Sequence, residues 1–172
     1  MKEIFQANEH RPGLPLSLAF CKVEPWLGEG FYFWESFIEN AEEWGIRHYK
    51  KRQKSYQILK ACYEEQAVHC LNLIDNAEQI KEFNDAVALV ENEAGVRMHS
   101  FYQRITMLRK YAPKYFGKFS CVRIFPCGGM VIGKIPFTEK MQKVAYYTPI
   151  PPIQVCFWKN EPKKFIQVKI VL

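Results

Sequence analysis

The sequence predicts an α+β fold. Three observations carry this. Helical periodicity is confined to the middle of the chain, strand-like runs lie on both sides of it, and no repeated strand–helix–strand alternation is present. The 172 residues suffice for one domain, 1–172, with a sizeable core. No internal repeat, low-complexity tract or Ser/Gly linker divides them.

Each element has its own local reason. "KEIFQAN" reads as a short first strand, and "EHRPGLPLS" as loop, broken by Pro12, Gly13 and Pro15. After "EPWLGEG" comes an aromatic strand over 31–34. Ser36-x-x-Glu39 reads as a capping box starting a helix whose apolar face is Phe37, Ala41, Trp44 and His48. "SYQILKACY" and "AVHCLNLI", separated by "EEQ", read as a hairpin. Asp75 or Asn76 caps the next helix, in which Ile80, Phe83, Val87, Val90 and Ala94 recur, and Gly95 ends it. A third helix over about 97–111 turns Met98, Phe101, Ile105 and Leu108 inward. Four strand-like runs close the chain, "FSCVRIFP", "GMVIGKIP", "IQVCFWK" and "KFIQVKIVL", with turns at "CGG" and "NEPK".

Composition excludes several classes. Hydrophobic content of 48% with 24% charged residues is that of a globular protein, while the 15% aromatic share predicts aromatic-rich core and pocket. No apolar run approaches the roughly 20 residues of a membrane span. "MKEIFQANEHRPG" has no apolar leader core, so the expected location is cytoplasmic. The six cysteines lack Cys-x-x-Cys spacing, and cytosolic thiols stay reduced. Cys62, Cys70, Cys121 and Cys156 fall in strand-like runs and read as small core residues. His10, His48, His69 and His99 are scattered, so no metal site is expected.

Charge is uneven. Residues 35–95 hold 12 Asp/Glu against 7 Lys/Arg, a net of −5, whereas 97–144 hold 10 Lys/Arg against one acid, Glu139, a net of +9. The basic segment suits either a nucleic acid or phosphate-bearing partner, or a solvated surface balancing the acidic helices.

The stretch "LGEGFYFWES" concentrates the chemistry. In a strand, Phe31 and Phe33 point one way and Tyr32 and Trp34 the other. One pair feeds the core, and the other either does the same or lines a cleft. Gly28 and Gly30 allow left-handed backbone or close approach of a ligand. Gly28-Glu29-Gly30 lacks a third glycine and precedes a strand, so a dinucleotide-fold or P-loop reading fails.

"LGEGFYFWES…AEEWG" resembles the signature of ADP-ribosyltransferase-like proteins, especially small bacterial toxin-type members: Gly28, Gly30, Tyr32, Ala41, Trp44 and Gly45 match. "ILKA…HCLNLID" and "PIQVCFWKNEPKKFIQV" are similar to later strands of that family, and 95–145 is the loosest part. The resemblance implies two small, mostly antiparallel sheets split around a cleft, with NAD as substrate. It implies a catalytic pair, Tyr32 stacking on the nicotinamide and Gln154 at the nicotinamide-side ribose. A fixed carboxylate usually stands at that last position and stabilises developing positive charge; glutamine here bonds a hydroxyl without charge. Gln6, His10 and Arg11 would engage the adenine-side ribose or phosphates, with Gly28, Gly30, Tyr32 and Trp34 completing the NAD site. Glu161 lies in the turn after Gln154, and Glu29 and Glu35, flanking the aromatic strand, are the nearest other carboxylates in sequence. The implied function is mono-ADP-ribosyl transfer to a protein or nucleic-acid target, with a cognate antitoxin as a further partner. The alternative is a catalytically inactive nucleotide- or nucleic-acid-binding module using 97–144, and a third reading is a structural or immunity-type partner.

Overall fold

The computed structural model describes residues 1–13, 17–64, 68–126, 132–138, 146–158 and 169–170. In chain order the elements are β1 (Lys2–Glu9), β2 (Phe20–Cys21), β3 (Gly30–Glu35), α1 (Ile38–His48), a 3₁₀ turn (Lys50–Arg52), β4 (Tyr56–Tyr63) and β5 (Cys70–Asn72). Then come α2 (Ala77–Ala94), α3 (Phe101–Tyr111), α4 (Pro113–Phe116), β6 (Cys121–Ile124), β7 (Ile135–Pro136), β8 (Tyr146–Tyr147), β9 (Gln154–Phe157) and β10 (Lys169–Ile170). The fold is α+β, as the sequence predicts. The predicted turns at "CGG" and "NEPK" lie outside the described residues.

Among the described residues, the two separate sheets implied by the resemblance are instead one eight-stranded sheet, order β10-β4-β1-β3-β9-β6-β5 with β2 also on β3, plus a β7–β8 ribbon. All its pairings are antiparallel except β5–β6. Its centre is nevertheless weakly joined. β1 and β4 pair from Lys2↔Tyr63 to Glu9↔Tyr56. β1 and β3 pair only at Ile4↔Glu35 and Phe5↔Trp34. Beyond Phe5 the two strands separate.

Residue alternation then distributes the core. Phe31 and Phe33 pack on one face with Ile4, Tyr63, Val155 and Phe157. On the other face, α2, α3 and α4 cover the β9–β6–β5 half through Phe83, Val90, Ile105 and Phe116, packed on Val122 and Cys156. α1 covers the β1–β4 half through Ala41, against Phe5, Trp34 and Ile58. Burying one such large apolar side chain stabilises by roughly 1.5–3 kcal/mol.

Two local expectations fail. Ser36 does not cap α1: its φ of 66° turns the chain, and its N–H bonds Glu3 O at 2.9 Å, extending the β1 side of the sheet. The N-cap falls on Phe37, which has no capping side chain. Nor do residues 55–74 form a hairpin. β4 pairs with β1 and β10, whereas β5 runs parallel to β6 at the far end of the sheet. Long-range ladder partners overrode the short intervening loop. The later helix signals hold. Asn76 Oδ1 accepts the Gln79 N–H at 3.0 Å, and Gly95 ends α2 at φ 62°. The third helix starts at Phe101 rather than near 97, because Ser100 and Gln103 form a capping box.

Beneath the weak junction lies a buried ionic cluster. Arg123 from β6 grips Glu35 from β3 in a fork, Nε to Oε2 at 2.8 Å and Nη2 to Oε1 at 2.9 Å. Lys2 adds a 3.3 Å bond to Glu35, and Asp75 takes Arg123 Nη1 at 3.1 Å. Glu35 and Arg123 are 3% and 6% exposed, so removing one leaves the other desolvated and unmatched. Arg123→Met is therefore expected to lower unfolding stability by about 3–5 kcal/mol in urea titrations. Adding Glu35→Leu should recover most of that loss. A single variant as stable as wild type would show that the fork contributes nothing.

Candidate functional site

The separation of β1 from β3 opens a cleft of about 330 Å³ on the α1 face of the sheet. Gln6, Asn8, Tyr32, Trp34, Trp44 and Gln154 are among its lining residues, together with most of the 19–26 strap, though not Lys22 or Pro25, and the end of α1. Gln6, the Tyr32–Trp34 pair and Gln154 are widely spaced in sequence. Topology gathers them. Trp34 and Gln154 are register partners across β3 and β9, and antiparallel partners share a face.

Gln6 is the splice between the separated strands. Its Nε2 donates to Ala19 O and to Tyr32 O, both at 3.0 Å, and its Oε1 accepts the Ala19 N–H at 2.7 Å. The amide thus replaces a missing stretch of backbone ladder and holds the strap. β2 completes the edge of β3 through Phe20↔Phe31 and Cys21↔Gly30. Gln6 therefore borders the cleft with every one of these bonds committed to the fold.

Tyr32 presents its ring to the cleft and spends its hydroxyl elsewhere. The hydroxyl accepts the Leu27 N–H and donates to Gly28 O, each at 2.8 Å. Burial holds the phenol pKa well above its usual range, so the group stays a neutral tether. Gln154 differs. It is 4% exposed, and its Oε1 is buried without a hydrogen-bond partner among the described residues. Asn8, on the opposite wall, donates Nδ2 to Ser17 O at 3.1 Å while its Oδ1 is likewise unpartnered. A buried acceptor left unmade costs about 1–3 kcal/mol, so both invite a donor.

The remaining predicted residues lie elsewhere. Gly28 lines a shallow surface depression with Glu29 and Arg109, not the cleft. Gly30 is a glycine for packing: a Cβ there would collide with Phe157 O. His10 is exposed and bonds Gln57 Oε1 at 3.1 Å. Arg11 pairs with Glu9 at 3.0 Å and borders a neighbouring groove that shares Asn8, Ala19 and Tyr49 with the cleft. Glu35 is locked to Arg123 on the opposite face, and Glu161 lies outside the described residues. In the basic segment, Arg109 sits 4.8 Å from the Trp158 ring, Lys118 pairs with Glu82 at 3.6 Å, and Arg123 is buried. Three of its cations thus serve the fold.

Sequence reasoning missed much of the aromatic wall. Trp44 reads as helix core, yet it lines the cleft, its ring centroid 6.4 Å from Trp34. His48 stacks on Trp44 at 5.0 Å and 10° between planes. Trp26, Tyr49 and Asn8 also line the cleft, and no local pattern marks them. The His48 pKa is lowered by burial first, then by the positive charges of Arg52 and Lys54.

Gln6→Ala would strand the Ala19 amide and carbonyl and Tyr32 O. It is expected to cost about 1–3 kcal/mol in chemical unfolding and to speed hydrogen exchange at Ala19. Unchanged stability and exchange would mean that Gln6 does not hold the strap. His48 is expected to titrate by NMR below the ordinary 6.5. The unfolded chain then binds the proton first, so its contribution to stability is complete above 6.5 and is lost as pH falls through the lowered value. A midpoint at or above 6.5 would contradict the burial argument. Comparison of the chain with protein-family models, curated proteins and solved structures finds no match.

Proposed function

We propose that the cleft binds NAD and that the chain is a divergent ADP-ribosyltransferase-like domain acting on a macromolecular target. The observation that carries this reading is the convergence of Gln6, Tyr32, Trp34 and Gln154 on one aromatic cleft between separating central strands. Two halves of sheet joined at only two residue pairs are the nearest counterpart, in one continuous sheet, of a split-sheet NAD cleft.

The roles follow from chemistry. The Tyr32 and Trp34 rings supply flat apolar surface for the nicotinamide, where stacking contributes roughly 0.5–1.5 kcal/mol beyond area burial. The unpartnered Gln154 Oε1 accepts from the carboxamide or a ribose hydroxyl. Gln6 acts by positioning Tyr32 and the strap, not by touching the ligand. Arg11, in the adjoining groove, faces the phosphate end. Because Gln154 carries no charge, it orients the ligand but gives little stabilisation of an oxocarbenium-like transition state. Transfer is therefore slow in this reading, and a binding role for the same cleft is its non-catalytic limit. Exposed Arg97, Lys110 and Lys114 would meet an acidic target.

Titration with NAD followed by tryptophan fluorescence tests the reading, because Trp26, Trp34 and Trp44 line the cleft. Saturable quenching is expected. Gln154→Leu should weaken binding about 3- to 10-fold, the worth of one hydrogen bond, with folding unchanged by circular dichroism. The absence of saturable quenching in wild type, with no rise in melting temperature at millimolar NAD, would sink the proposal.

A further inference from the structure

The cleft has an electrostatic character that the NAD reading does not use. Phe20, Trp26, Tyr32, Trp34, Trp44 and Tyr49 give it six aromatic walls. Trp34 and Trp44 meet at 52°, so these two walls form an angle rather than a parallel slot. In a chain of formal charge +6, none of the described lining residues is Lys or Arg, and one, Glu24, is a carboxylate.

Glu24 and Trp26 are both unusual where they stand. Glu24 has φ 50°, a left-handed conformation uncommon for a side chain other than glycine, asparagine or aspartate. No cation pairs with it among the described residues. Trp26 is 41% exposed at the rim, although the next residue, Leu27, is buried. Deeper in the wall, the buried and unpartnered Gln154 Oε1 supplies a third centre of negative potential. Aromatic faces, an unpaired carboxylate and an unmatched amide oxygen all favour positive charge. His48, whose pKa is lowered, adds no charge of its own at neutral pH.

We propose that Glu24 and Trp26 make the cleft selective for a positively charged ring, so that it separates a cationic N-alkylpyridinium from the neutral form of the same flat carboxamide. The inference rests on the reading of this cleft as a nicotinamide site and assigns its charge selectivity to two strap residues outside the motif that suggested it. Cation–π attraction acts on the charged ring alone, whereas stacking and the Gln154 hydrogen bond act on both forms.

The test uses 1-methylnicotinamide chloride and nicotinamide, followed by tryptophan fluorescence and by chemical-shift changes in the full chain. The cation is expected to bind wild type about tenfold more tightly than its neutral counterpart. Glu24→Gln and Trp26→Leu should each cut that preference to about threefold or less; Glu24→Gln should do so with nicotinamide affinity within about twofold, whereas Trp26→Leu also removes a stacking face and weakens both compounds, the cation more. Both sites are exposed or at the rim, and circular dichroism verifies folding. Raising salt should weaken the cation arm alone. Tetramethylammonium binding as tightly as 1-methylnicotinamide would overturn the ring requirement. Equal affinity of wild type for both carboxamides, or an unchanged preference in both variants, would overturn the selectivity and leave the nicotinamide site standing. Binding of neither compound would overturn both.

Discussion

The structure depends on a strand pair that stops pairing. β1 and β3 are the middle of the sheet, where a ladder would ordinarily run the full length of both strands. Here it ends at Phe5↔Trp34, and the Gln6 side chain takes over. A side-chain amide carries one donor pair and one carbonyl, so it can imitate a peptide group facing Ala19 while also reaching Tyr32 O. The geometry is self-consistent. Only because the strands separate is there room for the strap; the freed Tyr32 O is then met by the Gln6 amide and the Phe31 edge by the strap's Phe20. The cleft is thus a product of backbone satisfaction, and its aromatic wall is what alternation along β3 then exposes.

A sheet joined at two residue pairs needs bracing. Lys2 of β1 supplies it from the opposite face by bonding Glu35, the last residue of β3, while the Arg123 fork holds that carboxylate in place from β6 across β9. Asn40 braces the helical side, its Nδ2 bonding Pro151 O at 3.1 Å, so that α1 is fastened to the loop entering β9. These contacts are polar and directional. They fix how far the halves separate in a way that apolar packing alone, which tolerates sliding, would not.

How far this was legible from sequence depends on the range of the signal. The division of Phe31 and Phe33 from Tyr32 and Trp34 follows from a period of two, and the structure places the pairs on opposite faces. The Asn76 cap and Gly95 stop are equally local. Ser36 misled because its motif is correct, but its backbone is claimed by Glu3, 33 residues away. The hairpin over 55–74 failed for the same reason: β4 has a better partner in β1. Gly30 reads as a ligand glycine until the backbone of Phe157 is set beside it. Trp44 and His48 satisfy a helix-face pattern whether they meet core or cleft, so periodicity could not separate the two.

The glutamine at 154 is the group its surroundings can hold. Its neighbour across the ladder is Trp34, it is almost wholly buried, and no lysine or arginine stands among the described lining residues. A carboxylate at that point would be desolvated with nothing to neutralise it, and would sit in the same cavity as Glu24. Such a group takes up a proton instead of keeping its charge, which removes the property that a transfer reaction requires of it. An amide keeps an acceptor oxygen in place at every pH. The cleft's electrostatics thus rest on weaker, permanent sources, namely ring faces and carbonyl dipoles, with one carboxylate at the rim where water can still solvate it. That arrangement suits holding a cation better than creating one. It links the glutamine at 154, the lack of cations among the described lining residues and the exposed Trp26 as parts of one electrostatic arrangement.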